Sequence, residues 1–173
     1  ETIEALGDKL SARRIAEASS VPLVPGSNAL ENVDEACAMA ESIGFPVVIK
    51  ATAGGGGRGM FLAEDSATVT SLFSKASEEA RNAFGNGELY IERFVRNARH
   101  VEVQVFGDGQ GKVIHFGERD CSVQRRYQKL IEEAPSPRLS PEMRRKMGEA
   151  AVTAARVIGY RNAGTVVFLL DAA

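Results

Sequence analysis

The sequence predicts an α+β fold, and three observations carry that reading. Val47-Val48-Ile49-Lys50 passes through a glycine loop into a second apolar run, Met60-Phe61-Leu62-Ala63, which is the pattern of a hairpin. Val101, Val103 and Val105 alternate with Glu102 and Gln104, and an Asp108-Gly109-Gln110-Gly111 turn follows. Helical periodicity is confined to separate stretches around these strands.

Asp8 to about Ser19 carries Leu10, Ala12, Ile15, Ala16 and Ala18 at helical spacing, and Val21-Pro22 ends it. Val33 to Ser42 reads as a second helix, with Asp34 and Glu35 in a first turn whose dipole favours anions and Gly44 as its stop. Pro46 to Ala51 and Gly59 to Ala63 are the hairpin strands. Asp65 or Ser66 caps a long helix to about Phe84, and Glu88 to Phe94 is a strand. After the Asp108 turn, Lys112 to Gly117 returns as the partner of the Val101 strand. Ser140-Pro141-Glu142 opens a helix to Ile158 with an N-cap, a first-turn proline and a first-turn acid, and Gly159 ends it. Gly164 to Leu170 reads as a last strand. Residues 22–94 thus form a small unit of two strands and two helices, and antiparallel strands with a helix follow.

The glycine loop asks for a ligand. Gly54 to Gly57 and Gly59 place five glycines in the seven residues 53–59, which costs backbone entropy and supplies no packing. Bare amides of this kind cradle polyphosphate oxygens, with Lys50 and Arg58 adding charge on either side. Gly54, Gly56 and Gly59 satisfy G-x-G-x-x-G, but a dinucleotide fold needs a helix directly afterwards, and Met60 to Ala63 reads as a strand. A P-loop needs its lysine after the loop, whereas Lys50 precedes it. Strand, lysine, glycine flap and strand remain: a hairpin whose tip closes over phosphates, or a flexible surface hairpin without a ligand.

Composition excludes other classes. At 173 residues and 44% hydrophobic content the chain can bury a core, and a net charge of −2 gives no overall bias toward nucleic acid or membrane. No run of about 18 apolar residues exists to span a bilayer. Cys37 and Cys121 make no disulfide framework, which suits a reducing compartment, the cytoplasm or the mitochondrial matrix. A second charged constellation, Glu118 to Lys129, follows the returning strand. Continued alternation there puts Gln124, Arg126 and Gln128 on one side and Arg125, Tyr127 and Lys129 on the other, an anion-binding face or a solvated segment. Cys121 reads as a buried thiol and His115 as a packing residue. Glu132-Glu133 is a metal-binding or a solvated pair.

Together these segments resemble the biotin carboxylase component of biotin-dependent carboxylases, an ATP-grasp family. The residues that carry the resemblance are Gly7-Asp8-Lys9, Val24-Pro25-Gly26, Gly54 to Met60, Glu92-Arg93-Phe94, Arg99-His100-Val101-Glu102, Glu118-Arg119-Asp120-Cys121-Ser122, Gln124-Arg125-Arg126, Gln128-Lys129 and Glu132-Glu133-Ala134-Pro135. They run in order over essentially the whole chain. The resemblance implies a helical lead-in over 1–21, an ATP-grasp lid with the glycine flap over 22–94, and part of a C-terminal ATP-grasp subdomain over 95–173. It implies ATP as the loop's ligand, with Lys9 and Lys50 on its phosphates and Gly56 and Gly57 covering them. Glu92, Arg93, Phe94 and Val95 correspond to a hinge that bonds adenine, and His100 to a residue near the ribose. Gln124 and Lys129 correspond to the phosphate and bicarbonate region. Tyr127 stands where the family often has His; a tyrosine there donates a hydrogen bond to phosphate but carries no positive charge at neutral pH.

The implied activity is ATP- and bicarbonate-dependent carboxylation of carrier-bound biotin through carboxyphosphate. The implied partners are a biotin carboxyl carrier domain and a carboxyltransferase component, with no nucleic acid or membrane, and a homo-oligomeric parent stays open. The family's Mg2+-binding glutamates, bicarbonate-binding arginine and general base follow the strand that closes this sequence, and Asp171-Ala172-Ala173 does not supply them. The expectation is a fragment that holds no metal ligands and does not turn over alone. Another ATP-grasp carboxylate or bicarbonate ligase, and a non-catalytic nucleotide-binding module, are the alternative readings.

Overall fold

The computed structural model describes residues 9–53, 59–126 and 128–171. The elements run α1 (Lys9–Ala18), α2 (Val33–Ile43), β1 (Val47–Ala51), β2 (Met60–Ala63), α3 (Ser66–Phe84), β3 (Leu89–Arg93), β4 (Ala98–Asp108), β5 (Val113–Arg125), β6 (Gln128–Glu133), α4 (Pro141–Val157) and β7 (Arg161–Asp171). They divide between two compact units, one built on Val24–Phe94 and the other on the residues from Val95 onward.

In the first unit β1 lies between β2 and β3, antiparallel to both. The strand read over Glu88 to Phe94 is β3 (Leu89–Arg93), so the unit has three strands and not two: Leu89 and Ile91 share the apolar period of β1 and complete its other edge. Val47, Ile49, Leu89 and Ile91 point to one face and pack on Ala36 and Ala40 of α2 and Val69, Ala76 and Ala80 of α3. The helices start where their side chains can cap them: Asn32 accepts from the Glu35 amide at 2.9 Å and Asp65 from the Thr68 amide at 2.7 Å. Gly85, at φ 76°, ends α3 in the left-handed region.

The second unit is an antiparallel sheet in the order β6-β5-β4-β7. Its terminal strand β7 pairs with β4 from Ala98↔Asp171 to Asp108↔Arg161. Val101, Val103 and Val105 turn to one face, where Met147, Ala151 and Ala155 of α4 cover them. Gly107 is the tightest point of this pairing: a Cβ there would lie 1.9 Å from the Tyr160 carbonyl oxygen. Backbone cannot swing away as a side chain can. Gly107→Ala is therefore expected to cost about 1–3 kcal/mol or more. Urea denaturation of the two forms checks it, and an unchanged midpoint would contradict the packing described.

One correction concerns β5. It does not stop at Gly117 but runs to Arg125, and the segment 118–129 is not one extended face. The chain reverses after Arg125, with Arg126 at φ 51°, and Arg125 pairs with Gln128 and Gln124 with Lys129. Cross-strand partners share a face, so Gln124 and Lys129, set apart by simple alternation, stand on the same one. Within β5 there is also a bulge, which the sequence reading did not address. The Asp108 turn sets Phe106 against Ile114 and Val105 against His115, a register that would continue to Glu102 against Glu118. One extra residue in β5, where Gly117 takes φ 90°, shifts it so that Arg119 faces Glu102 instead. A repulsive pair is thereby exchanged for an attractive one.

Candidate functional site

Each unit has a sheet face turned away from its helices, and the polar residues gather there. In the first unit this face carries Val48 and Lys50 of β1, Tyr90 and Glu92 of β3, and Met60 and Leu62 of β2. The Lys50 ammonium donates to the Glu92 carboxylate, with both side chains about one-fifth exposed. Lys50 is thus held by a neighbour on the same face rather than extended into solvent. The segment that follows β3 is pinned by its own backbone. The Arg93 amide donates to Pro25 O at 2.8 Å and the Phe94 amide to Pro46 O at 2.9 Å, while the Arg93 guanidinium reaches Ile43 O at 3.4 Å. Gly56, Gly57 and the side chain of Lys9 lie outside the described residues, as does Tyr127.

In the second unit the corresponding face centres on Glu102. Its side chain is 4% exposed. It accepts from the Arg119 Nε at 2.8 Å, from a second nitrogen of the same guanidinium and from the Lys129 ammonium. Arg119 also donates to Gln104 Oε1 at 3.1 Å. Burial pushes the Glu102 carboxyl up, but the hydrogen bonds from Lys129 and Arg119 outweigh it and hold the group below its ordinary 4.5. The same bond from Glu102 raises Lys129 above its ordinary 10.5. Glu102 and Lys129 therefore face one another charged at neutral pH. Glu132, exposed like Glu133 on the edge strand β6, stands 3.4 Å from Arg119 and 3.8 Å from Lys129, so it joins this cluster at its solvated rim.

Gln124 donates to Cys121 O at 2.8 Å on the strand that faces Lys129. His100 is two residues from Glu102 on β4 and shares its face; its amide donates to Ser122 Oγ at 3.1 Å. Cys121 is fully buried, and burial pushes its thiol up, as suits a packing residue. The His115 ring lies over Gly148 of α4, where a Cβ would come within 2.7 Å of it. Glu102 and Arg119 were part of quoted motifs without a role. The available signal was a glutamate between two core valines of an alternating strand, with the bulge supplying its partner.

Behind this face, on the α4 side, a second polar network fixes β5. Glu118 accepts from Arg144 Nε at 2.8 Å and from the Ser136 amide at 3.0 Å. Asp120 accepts from Arg99 Nε at 3.0 Å, Ser136 Oγ at 3.1 Å and Ser122 Oγ at 2.6 Å. Burial opposes ionisation of both carboxyls, yet the hydrogen bonds win and both sit below their ordinary values, 4.5 and 3.8. Since the folded values are depressed, their stabilisation is complete above the unfolded values. It is lost as pH falls through the folded ones. Stability is thus expected to drop steeply below about pH 4.5, and more shallowly in Glu118→Gln. Urea midpoints between pH 6 and 3 check it, and equal slopes for the two forms would contradict it.

Comparison with known proteins places the chain in a family. A family model described as "Carbamoyl-phosphate synthase L chain, ATP binding domain" matches residues 8–173. The chain is 55% identical over 172 residues to biotin carboxylase 2, chloroplastic, of Populus trichocarpa, covering 99% of this chain and 33% of that protein. Among solved structures, it matches the Campylobacter jejuni biotin carboxylase β,γ-ATP complex with a TM-score of 0.95 and 47% identity, over 99% of this chain and 39% of that one. It also matches the biotin carboxylase domain dimer of Hydrogenobacter thermophilus 2-oxoglutarate carboxylase, solved with MgADP, ADP and bicarbonate. That match has a TM-score of 0.92 and 47% identity over 98% of this chain and 38% of that one. The chain spans about a third of the length of the curated relative.

Proposed function

This chain belongs to the carbamoyl-phosphate synthase L chain ATP-binding domain family, as an ATP-grasp domain of the biotin carboxylase type, and from that premise we propose that it supplies nucleotide- and anion-binding residues to an ATP-dependent biotin carboxylase. The observation that carries the reading is the Glu102 cluster. A buried carboxylate holds Arg119 and Lys129 on an open sheet face, beside Gln124, which is how a protein presents fixed positive charge to an oxyanion.

The reaction has two steps. A bicarbonate oxygen attacks the γ-phosphorus of ATP and ADP leaves, giving carboxyphosphate; the carboxyl then passes to a biotin nitrogen, whose proton leaves with the released phosphate. Phosphoryl transfer is mostly positioning and charge stabilisation, and this is what the chain's cations are built for. Lys129 and Arg119 orient the bicarbonate or phosphate oxygens. Lys50 and Lys9 take ATP phosphate oxygens, Gly56 and Gly57 cover them, and His100 lies near the ribose. Glu92, Arg93, Phe94 and Val95 bond adenine; with the Arg93 and Phe94 amides already donated within the protein, those two residues would contribute through their carbonyl oxygens. Mg2+, when bound, would supply charge neutralisation for the ATP phosphates; among the described residues no group of three His, Cys, Asp or Glu side chains gathers to hold it. That protein would work with a carrier domain and a carboxyltransferase component. The isolated chain would bind nucleotide without turnover.

Titrating the chain with Mg-ATP and, separately, NAD while following hydrogen exchange in β1, β2 and 92–95 tests the nucleotide assignment. Protection by ATP alone is expected. Protection by NAD alone would overturn it.

A further inference from the structure

The reading above treats Arg119 and Lys129 as an anion site, yet those two cations already face two carboxylates, and the two differ in kind. Glu102 is 3% exposed, sits on a strand paired on both sides, and makes close hydrogen bonds to both cations. Glu132 is 40% exposed, sits on the edge strand β6, and approaches only to 3.4 and 3.8 Å. With Glu102 alone the cluster keeps one net positive charge; Glu132 cancels it.

We propose that Glu132 is an exchangeable internal anion, holding Arg119 and Lys129 until a substrate oxyanion displaces it, so that it sets the affinity of the site for bicarbonate or phosphate. The chemistry favours exchange of this carboxylate and not the other. An exposed ion pair at these distances contributes little net free energy, because each charge keeps much of its hydration. A carboxylate is also a planar O–C–O fork, the shape of bicarbonate, so both fit the same pair of donors. Glu102 cannot leave without stripping a buried charge of its partners. Displaced, Glu132 needs only to turn outward from the sheet edge. This inference rests on the proposed anion role of the cluster and adds a second, competing occupant to it.

The test uses the full-length protein that contains this chain, as wild type, Glu132→Gln and Glu142→Gln. Glu142 lies on α4 and pairs with Lys146, so it matches the change in net charge away from the cluster. Calorimetric titration with inorganic phosphate and with bicarbonate is one readout; KM for bicarbonate and kcat in ATP cleavage are the other. Glu132→Gln is expected to tighten both anions and to lower KM by roughly two- to fivefold with kcat nearly unchanged, while Glu142→Gln matches wild type. Equal or weaker binding in Glu132→Gln would overturn the proposal, as would tightening shared by Glu142→Gln or the absence of anion binding in all three forms. If phosphate titrates as expected but ATP cleavage ignores bicarbonate, the carboxylase reading fails and the exchange stands.

Discussion

Replacing Glu102 by alanine is expected to remove about 3 kcal/mol of stability and most of the anion affinity of the second unit. Losing one member of a buried ion pair typically costs about 3–5 kcal/mol. The lower end applies because the cations left behind, Arg119 and Lys129, are 30% and 35% exposed and recover some hydration. Glu102→Gln keeps the shape and one acceptor, so it should fold better than the alanine form while still freeing Lys129 to move. If the account is right, the two variants separate stability from function: glutamine restores much of the urea midpoint but little of the turnover. Full activity in Glu102→Gln would show that the carboxylate does not position Lys129.

The second large effect lies in the other unit. Ile49 is fully buried on the central strand β1, opposite Phe61 on β2 and Ile91 on β3. Ile49→Ala is expected to cost about 2–5 kcal/mol through lost burial and the cavity left behind. A unit of about 70 residues has only about 4–10 kcal/mol in hand, so this one substitution brings it to the edge of unfolding. The next residue, Lys50, points to the opposite face and pairs with Glu92. Nucleotide affinity should therefore fall with the melting of this unit, and cooling or an added stabiliser should recover it. Thermal denaturation and ATP titration of the same preparation check both parts. A normal melting profile with lost ATP binding would contradict this link.

Much of the fold was legible because local signals and tertiary packing agree. Asp65 and Ser140 cap the helices that their sequence positions announced, and Val101, Val103 and Val105 turn to the core as their alternation requires. The β5–β6 reversal was not legible, because Arg126 adopts left-handed backbone without the glycine or asparagine that usually marks such a turn. Glu102 hid for a different reason. Alternation assigned it to a polar face, but its burial comes from Arg119 and Lys129, which only the bulge at Gly117 and the β6 hairpin bring to it. Lys50 and Lys129 were legible as residue types; the carboxylates that accept their hydrogen bonds, Glu92 and Glu102, were not, since each lies more than 25 residues away in sequence.

The measurement that bears most directly on the central claim is transfer of labelled bicarbonate carbon to biotin by the full-length protein, with and without ATP. The account predicts an acid-labile carboxylated biotin that forms only with Mg-ATP, accompanied by ADP release that bicarbonate and biotin both stimulate, and loss of both signals in Lys129→Gln. ATP cleavage indifferent to bicarbonate and biotin, with no label in biotin, would contradict it.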